Sequence, residues 1–145
     1  MFAETYSLPD DKPFVSIAVP DAWDTDEIDD GIESTSKDGQ VYFYVEVTDA
    51  DNVKAAMDEG VKYLQSKGVT LDADSAKDQE GKLNGMEVVG VKWDGKDEDG
   101  AAKISLTVIV LSEDKGLLLV YWGSPDGAKA NQDDLNKIVN SIKKL

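Results

Sequence analysis

Apolar residues alternate with small or polar ones through Phe14-Val15-Ser16-Ile17-Ala18-Val19, which places Val15, Ile17 and Val19 on one face and predicts a strand. Pro20 ends it, because proline has no N–H to give a ladder, and Trp23 follows three residues on. Gly31 to Ser36 is polar but leads to Asp38-Gly39, a dipeptide that tight hairpins favour, so this segment reads as an outer strand paired with the next. Val41 to Thr48 then alternates cleanly. Val41, Phe43, Val45 and Val47 share one face, and Tyr42, Tyr44, Glu46 and Thr48 share the other.

After Asp49 and Asp51, which are suited to accept hydrogen bonds at a helix N-terminus, the period changes from 2 to 3.6. Val53, Ala56, Met57, Gly60, Val61 and Leu64 form one apolar stripe, and Gly68 closes the helix. Asp72 to Lys82 is polar and acidic, with at most a short strand before Gly81. Met86 to Trp93 predicts a strand, Asp94 to Gly100 a loop, and Ala102 to Leu111 the returning strand. Leu117 to Trp122 is apolar on both faces, so it belongs in the middle of a covered sheet. A last helix places Leu135, Ile138, Val139 and Ile142 on one stripe. Strands joined by short turns pair antiparallel. The whole chain, 1–145, therefore predicts a single α+β domain with a largely antiparallel sheet of about six strands flanked by helices, and residues 1–12 form an extended N-terminal arm.

Composition narrows the chemistry. The chain of 145 residues carries 30 acidic and 15 basic side chains, a formal net charge of −15, and every basic residue is Lys. With no His and no Cys there is no imidazole base, thiolate nucleophile, usual zinc site or phospho-accepting histidine, so the chain is not a histidine kinase. With no Arg and a large negative charge, nucleic acid and anionic membranes are poor partners. A protein with a basic surface, or a cation, is the better one. No apolar run approaches the ~20 residues of a membrane helix. The opening Met1-Phe2-Ala3-Glu4-Thr5-Tyr6 looks like the end of a cleavage region, with Ala3 as the small residue. The expectation is an exported, periplasmic protein; the alternative is a cytoplasmic one.

The strand Phe14-Val15-Ser16-Ile17-Ala18-Val19-Pro20-Asp21-Ala22-Trp23, closed by Pro-x-x-Trp, resembles the first strand of the PsbP/Mog1-like fold, a group that includes small bacterial envelope proteins. The amphipathic helix after the first hairpin, the meander and the closing Ile142-Lys143-Lys144 are similar in order and spacing, so the resemblance spans nearly the whole chain. It implies an α/β/α sandwich and a binding or assembly role. It brings no active-site residues with it.

Asp94, Asp97, Glu98 and Asp99 are weak candidate Ca²⁺ ligands, because that ion takes six to eight oxygens, but Lys96 breaks the EF-hand spacing and a solvated hairpin tip of turn-forming residues is the simpler reading. The acidic runs Asp24, Asp26, Glu27, Asp29, Asp30 and Asp49, Asp51, Asn52 carry the same ambiguity. Ser34-x-x-Lys37 and Ser141-x-x-Lys144 match the Ser-x-x-Lys signature, but 10 × 15/145 gives about one chance match and no companion motif follows. Tyr42, Tyr44, Trp93 and Trp122 are candidates for a partner surface, against the reading in which the second helix covers the Tyr face and the Trp residues fill core. The function expected is a non-enzymatic binding or assembly module of the bacterial envelope that presents an acidic surface to a protein or cation, with no catalytic residues and no cofactor. A small carboxylate-based hydrolase, which needs two opposed acids in a pocket, is the first alternative, and a Ca²⁺-responsive protein the second.

Overall fold

The computed structural model describes residues 3–9, 11–49 and 53–145. Ala3–Leu8 (β1), within the segment read as an extended arm, pairs antiparallel along its length with Val15–Pro20 (β2). Lys143–Lys144 (β11) pairs with the other edge of β2 and completes a three-stranded sheet.

The large sheet is built from Asp24–Ile28 (β3), Gly31–Thr35 (β4), Val41–Thr48 (β5), Thr70–Leu71 (β6), Lys77–Leu83 (β7), Met86–Asp97 (β8), Gly100–Val110 (β9) and Gly116–Gly123 (β10). Its order is β3-β4-β5-β10-β9-β8-β6, with β7 also pairing β8, and every pairing is antiparallel. The position of β10 follows from its sequence. Leu117 and Leu119 point into one core and Leu118, Val120 and Trp122 into the other, so only a place between β5 and β9 buries both faces. Each fully buried Leu contributes about 1.5–3 kcal/mol.

Helix α1 (Val53–Ser66) covers one face of this sheet with Ala56, Gly60 and Leu64. Gly60 sets how closely it sits, since a Cβ there would lie 2.3 Å from Leu106 Cδ1. Gly68 ends the helix region with φ +78°, a left-handed conformation that glycine adopts without strain. The opposite face is covered by β1-β2-β11 together with α3 (Gln132–Asn140), which inserts Leu135 and Ile138. A short helix α2 (Pro125–Ala130) precedes α3, and the Ser124 hydroxyl accepts the Gly127 N–H at its start.

The α+β class and the largely antiparallel sheet are as the sequence predicts, and several details differ. The polar segment Gly31 to Ser36 is not the outer strand, because β3 lies outside it. Asp72 to Lys82 holds a 3₁₀ turn at Ala73–Ser75 and the full strand β7, which is exposed up to Lys82 and held by its ladder to β8. The predicted loop Asp94 to Gly100 is mostly strand: β8 runs to Asp97, β9 starts at Gly100, and Glu98-Asp99 is the turn. Ile142 lies beyond α3, buried between the helix and β11. Asp49 pairs with Lys115, and Asp51 and Asn52 lie outside the described residues.

Candidate functional site

The α1 side of the sheet ends in a groove of about 320 Å³ between the C-terminal end of α1, the β8–β9 turn and strands β3 to β5. Its aromatic wall follows from register. Tyr42 of β5 and Trp122 of β10 are direct cross-strand partners, and their rings stack at 5.4 Å. Tyr63, on the last full turn of α1, stacks on Tyr44 at 3.9 Å and meets Trp122 edge-on at 6.1 Å.

Carboxylates surround these rings. Asp24 and Asp26 come from β3, Glu33 from β4, and Asp97, Glu98 and Asp99 from the β8–β9 turn. Among the described lining residues, Lys67 is the one cation. Its Nζ lies 4.0 Å from Glu33 Oε1 and 5.6 Å from the centre of the Tyr63 ring. The Tyr63 hydroxyl donates to Glu33 Oε1 at 3.2 Å, and burial together with that carboxylate pushes its phenol well above the usual range. The groove therefore already holds one ammonium against an aromatic face and a carboxylate.

The aromatic candidates part company. Tyr42 and Trp122 line the groove, while Tyr44 lies under Tyr63 and is 7% exposed. The helix over the Tyr face is α1, not the second helix expected to cover it. Trp93 packs against the α1-side core, and Trp23 is buried with its Nε1 donating to Asp134 at 3.4 Å.

The acidic tip divides as well. Asp97, Glu98 and Asp99 border the groove, whereas Asp94 faces a second cleft and pairs with Lys103 at 2.5 Å. Asp97 Oδ1 accepts the Asp99 N–H at 2.9 Å, a local turn contact. Among the described residues no three acidic side chains converge in the way a metal ion requires. Ser34 and Ser141 of the Ser-x-x-Lys matches are engaged elsewhere, and Ser112, in a third such match ending at Lys115, donates to Asp114 Oδ1 at 3.0 Å. Ser34 shares a hydrogen bond with Thr25 at 2.7 Å, and Ser141 accepts from the Ala18 N–H at 2.8 Å and donates to the Ile138 carbonyl at 2.5 Å.

One carboxyl has strongly altered acidity. Glu46 of β5 is half-buried beside Glu59 of α1 and Asp30 of the β3–β4 turn, and burial followed by those two charges pushes it up to about 7. Glu59 accepts from the Thr48 hydroxyl at 2.9 Å. This pair meets half of what a carboxylate hydrolase needs. Neither glutamate borders the aromatic groove or the second cleft.

Sequence reasoning missed Tyr63, Glu33 and Lys67. Tyr63 sits one position before Leu64 at the margin of the apolar stripe, which is the signal that places it over the sheet edge.

No family model and no curated protein matches the sequence. Solved structures do. LpqN, involved in cell envelope biogenesis of Mycobacterium tuberculosis, has a TM-score of 0.60 at 12% identity over 99% of this chain and 92% of its own. The Saccharomyces cerevisiae Ran-binding protein Mog1p has 0.58 at 14% over 99% and 95%. Cyanobacterial PsbP (CyanoP) from Synechocystis sp. PCC 6803 has 0.64 at 11% over 99% and 92%. A Bacteroides thetaiotaomicron structure matches 100% of this chain with a TM-score of 0.65 at 14% identity, and this chain spans 49% of it. With identities this low, the agreement lies in the arrangement of strands and helices over nearly the full chain: this protein has the PsbP/Mog1-like fold.

Proposed function

We propose that the chain is a non-enzymatic binding module that takes a basic side chain of a partner protein into the aromatic groove. The observation that carries this reading is the convergence of six carboxylates with Tyr42, Tyr63 and Trp122 around a single lysine. An arriving Lys or Arg finds a ring face and a carboxylate, the environment that Lys67 already occupies. The net charge of −15 steers basic surfaces toward the molecule. Lack of imidazole and thiol groups supports binding over catalysis. The envelope is the compartment proposed for it, since one structural relative takes part in cell envelope biogenesis; among the described residues no helix is long and apolar enough to cross a membrane.

The test is a titration with tetralysine followed by NMR at constant ionic strength. Saturable shifts at Tyr42, Tyr63 and Trp122 are expected, and neutralising the tip with Asp97→Asn, Glu98→Gln and Asp99→Asn should weaken binding about tenfold. A control variant neutralised at Glu80, Glu113 and Asp114, outside the groove, should retain it. Equal loss in the two variants would mean that overall charge alone attracts the peptide, and the groove reading would fail.

A further inference from the structure

Beside the closing helices, where residues of both cores reach the surface, the sign of charge reverses. A cleft of about 440 Å³ opens between β7, β8, β9 and the closing helices α2 and α3. Lys77 of β7, Lys92 of β8, Lys103 of β9 and Lys129 of α2 border it, against one carboxylate, Asp94. Its local formal charge is therefore 4 − 1 = +3, on a chain whose total is −15. Tyr121 and the buried Leu135 also line it, which gives a concave space of the size small ligands use.

The lysines are held in an unfavourable arrangement. Lys77 and Lys92 are direct register partners on antiparallel strands, where like charges repel. Lys103 is paired to Asp94. Among the described residues, no carboxylate lies within 4.0 Å of the ammonium group of Lys77, Lys92 or Lys129. At physiological ionic strength charges more than about 8 Å apart are largely screened, so an anion inside the cleft responds chiefly to the groups that line it.

We propose that this cleft is a binding site for a small multivalent anion, a di- or tricarboxylate or a phosphate ester. Lysine ammonium groups are compact donors without the planar fork of arginine, so charge count selects the ligand more than bidentate geometry does. The apolar patch from Leu135 and the Tyr121 ring accommodates a short carbon skeleton between the charged groups. The site shares no lining residue with the aromatic groove, and it stands or falls independently of the function proposed above.

The experiment is a pair of titrations, with inorganic pyrophosphate and with citrate, each followed by NMR and calorimetry against sodium chloride of matched ionic strength. Saturable binding is expected, with shifts at Lys77, Lys92, Lys129 and Tyr121. Lys77→Gln and Lys92→Gln should each weaken it at least fivefold, while Lys62→Gln on α1, outside the cleft, should leave it unchanged. Tighter binding of pyrophosphate identifies a phosphate ligand and tighter binding of citrate a carboxylate, and either result supports the site. Shifts no larger than those in sodium chloride, or an equal loss in Lys62→Gln, would overturn it.

Discussion

Replacing Glu46 by Gln removes a carboxyl group whose ionisation the folded chain resists. Its acidity is shifted from the ordinary 4.5 to about 7, first by burial and then by Glu59 and Asp30. Because the folded value lies above the unfolded one, the stabilisation is fully present below about pH 4.5, where both states hold the proton. It is lost progressively as pH rises to 7, since the unfolded chain ionises first. A gap of this size corresponds to an upper limit of about 3 kcal/mol. Glu46 retains partial access to solvent, which screens the interaction, so about 1–2 kcal/mol is the expected effect. The amide of Gln fills the same volume and can donate to Glu59 at every pH. Urea unfolding at pH 4.5, 6 and 8, at fixed ionic strength, should therefore show the variant matching wild type at pH 4.5. At pH 8 it should exceed wild type by about 1–2 kcal/mol, a rise of roughly 2–8 °C in Tm. Glu80→Gln, on the exposed strand β7, measures the general relief from removing one negative charge. If Glu46→Gln gains no more than Glu80→Gln at pH 8, or gains as much at pH 4.5, the account of Glu46 is wrong.

Two further outcomes test the packing. Gly31 begins β4 with its backbone against β5, and a Cβ there would lie 1.9 Å from the Val45 carbonyl oxygen, so Gly31→Ala should destabilise by about 1–3 kcal/mol or more, read by thermal unfolding. Tyr63→Phe keeps the ring stacked on Tyr44 and deletes the hydroxyl that donates to Glu33; it should cost about 0.5–1.5 kcal/mol in urea unfolding while the near-ultraviolet dichroism of the aromatic cluster persists.

Those parts of the fold that bury a face were legible in the sequence. Val41 to Thr48 alternates because Val41, Phe43, Val45 and Val47 meet the core beneath β2, and the double-sided apolar run at Leu117 places β10 centrally. Strands that bury little left no such trace. Asp24–Ile28 and Lys77–Leu83 are strands because β4 and β8 offer them ladders, and a backbone hydrogen bond asks nothing of the side chain. The acidic tip misled for the same reason: the spacing of Asp94 and Asp97 says nothing of a strand that continues to the turn and sends Asp94 to a different cleft from Asp97, Glu98 and Asp99. Tyr42 and Trp122 were visible as aromatic residues on exposed or central strands, but their meeting with Glu33 and Lys67 depends on β4, β5, β10 and α1 arriving together, which no local window encodes.

The small sheet ties opposite ends of the sequence to one central strand. Ser16 of β2 faces Lys143, and the Leu145 N–H donates to the Phe14 carbonyl at 2.9 Å. Such contacts close a very long loop, so they carry a large entropic cost. On a ribosome, the second edge of β2 stays uncovered until everything between it and Lys143–Lys144 has been made. Until then that edge of β2 offers unpaired backbone groups to any other strand that meets it.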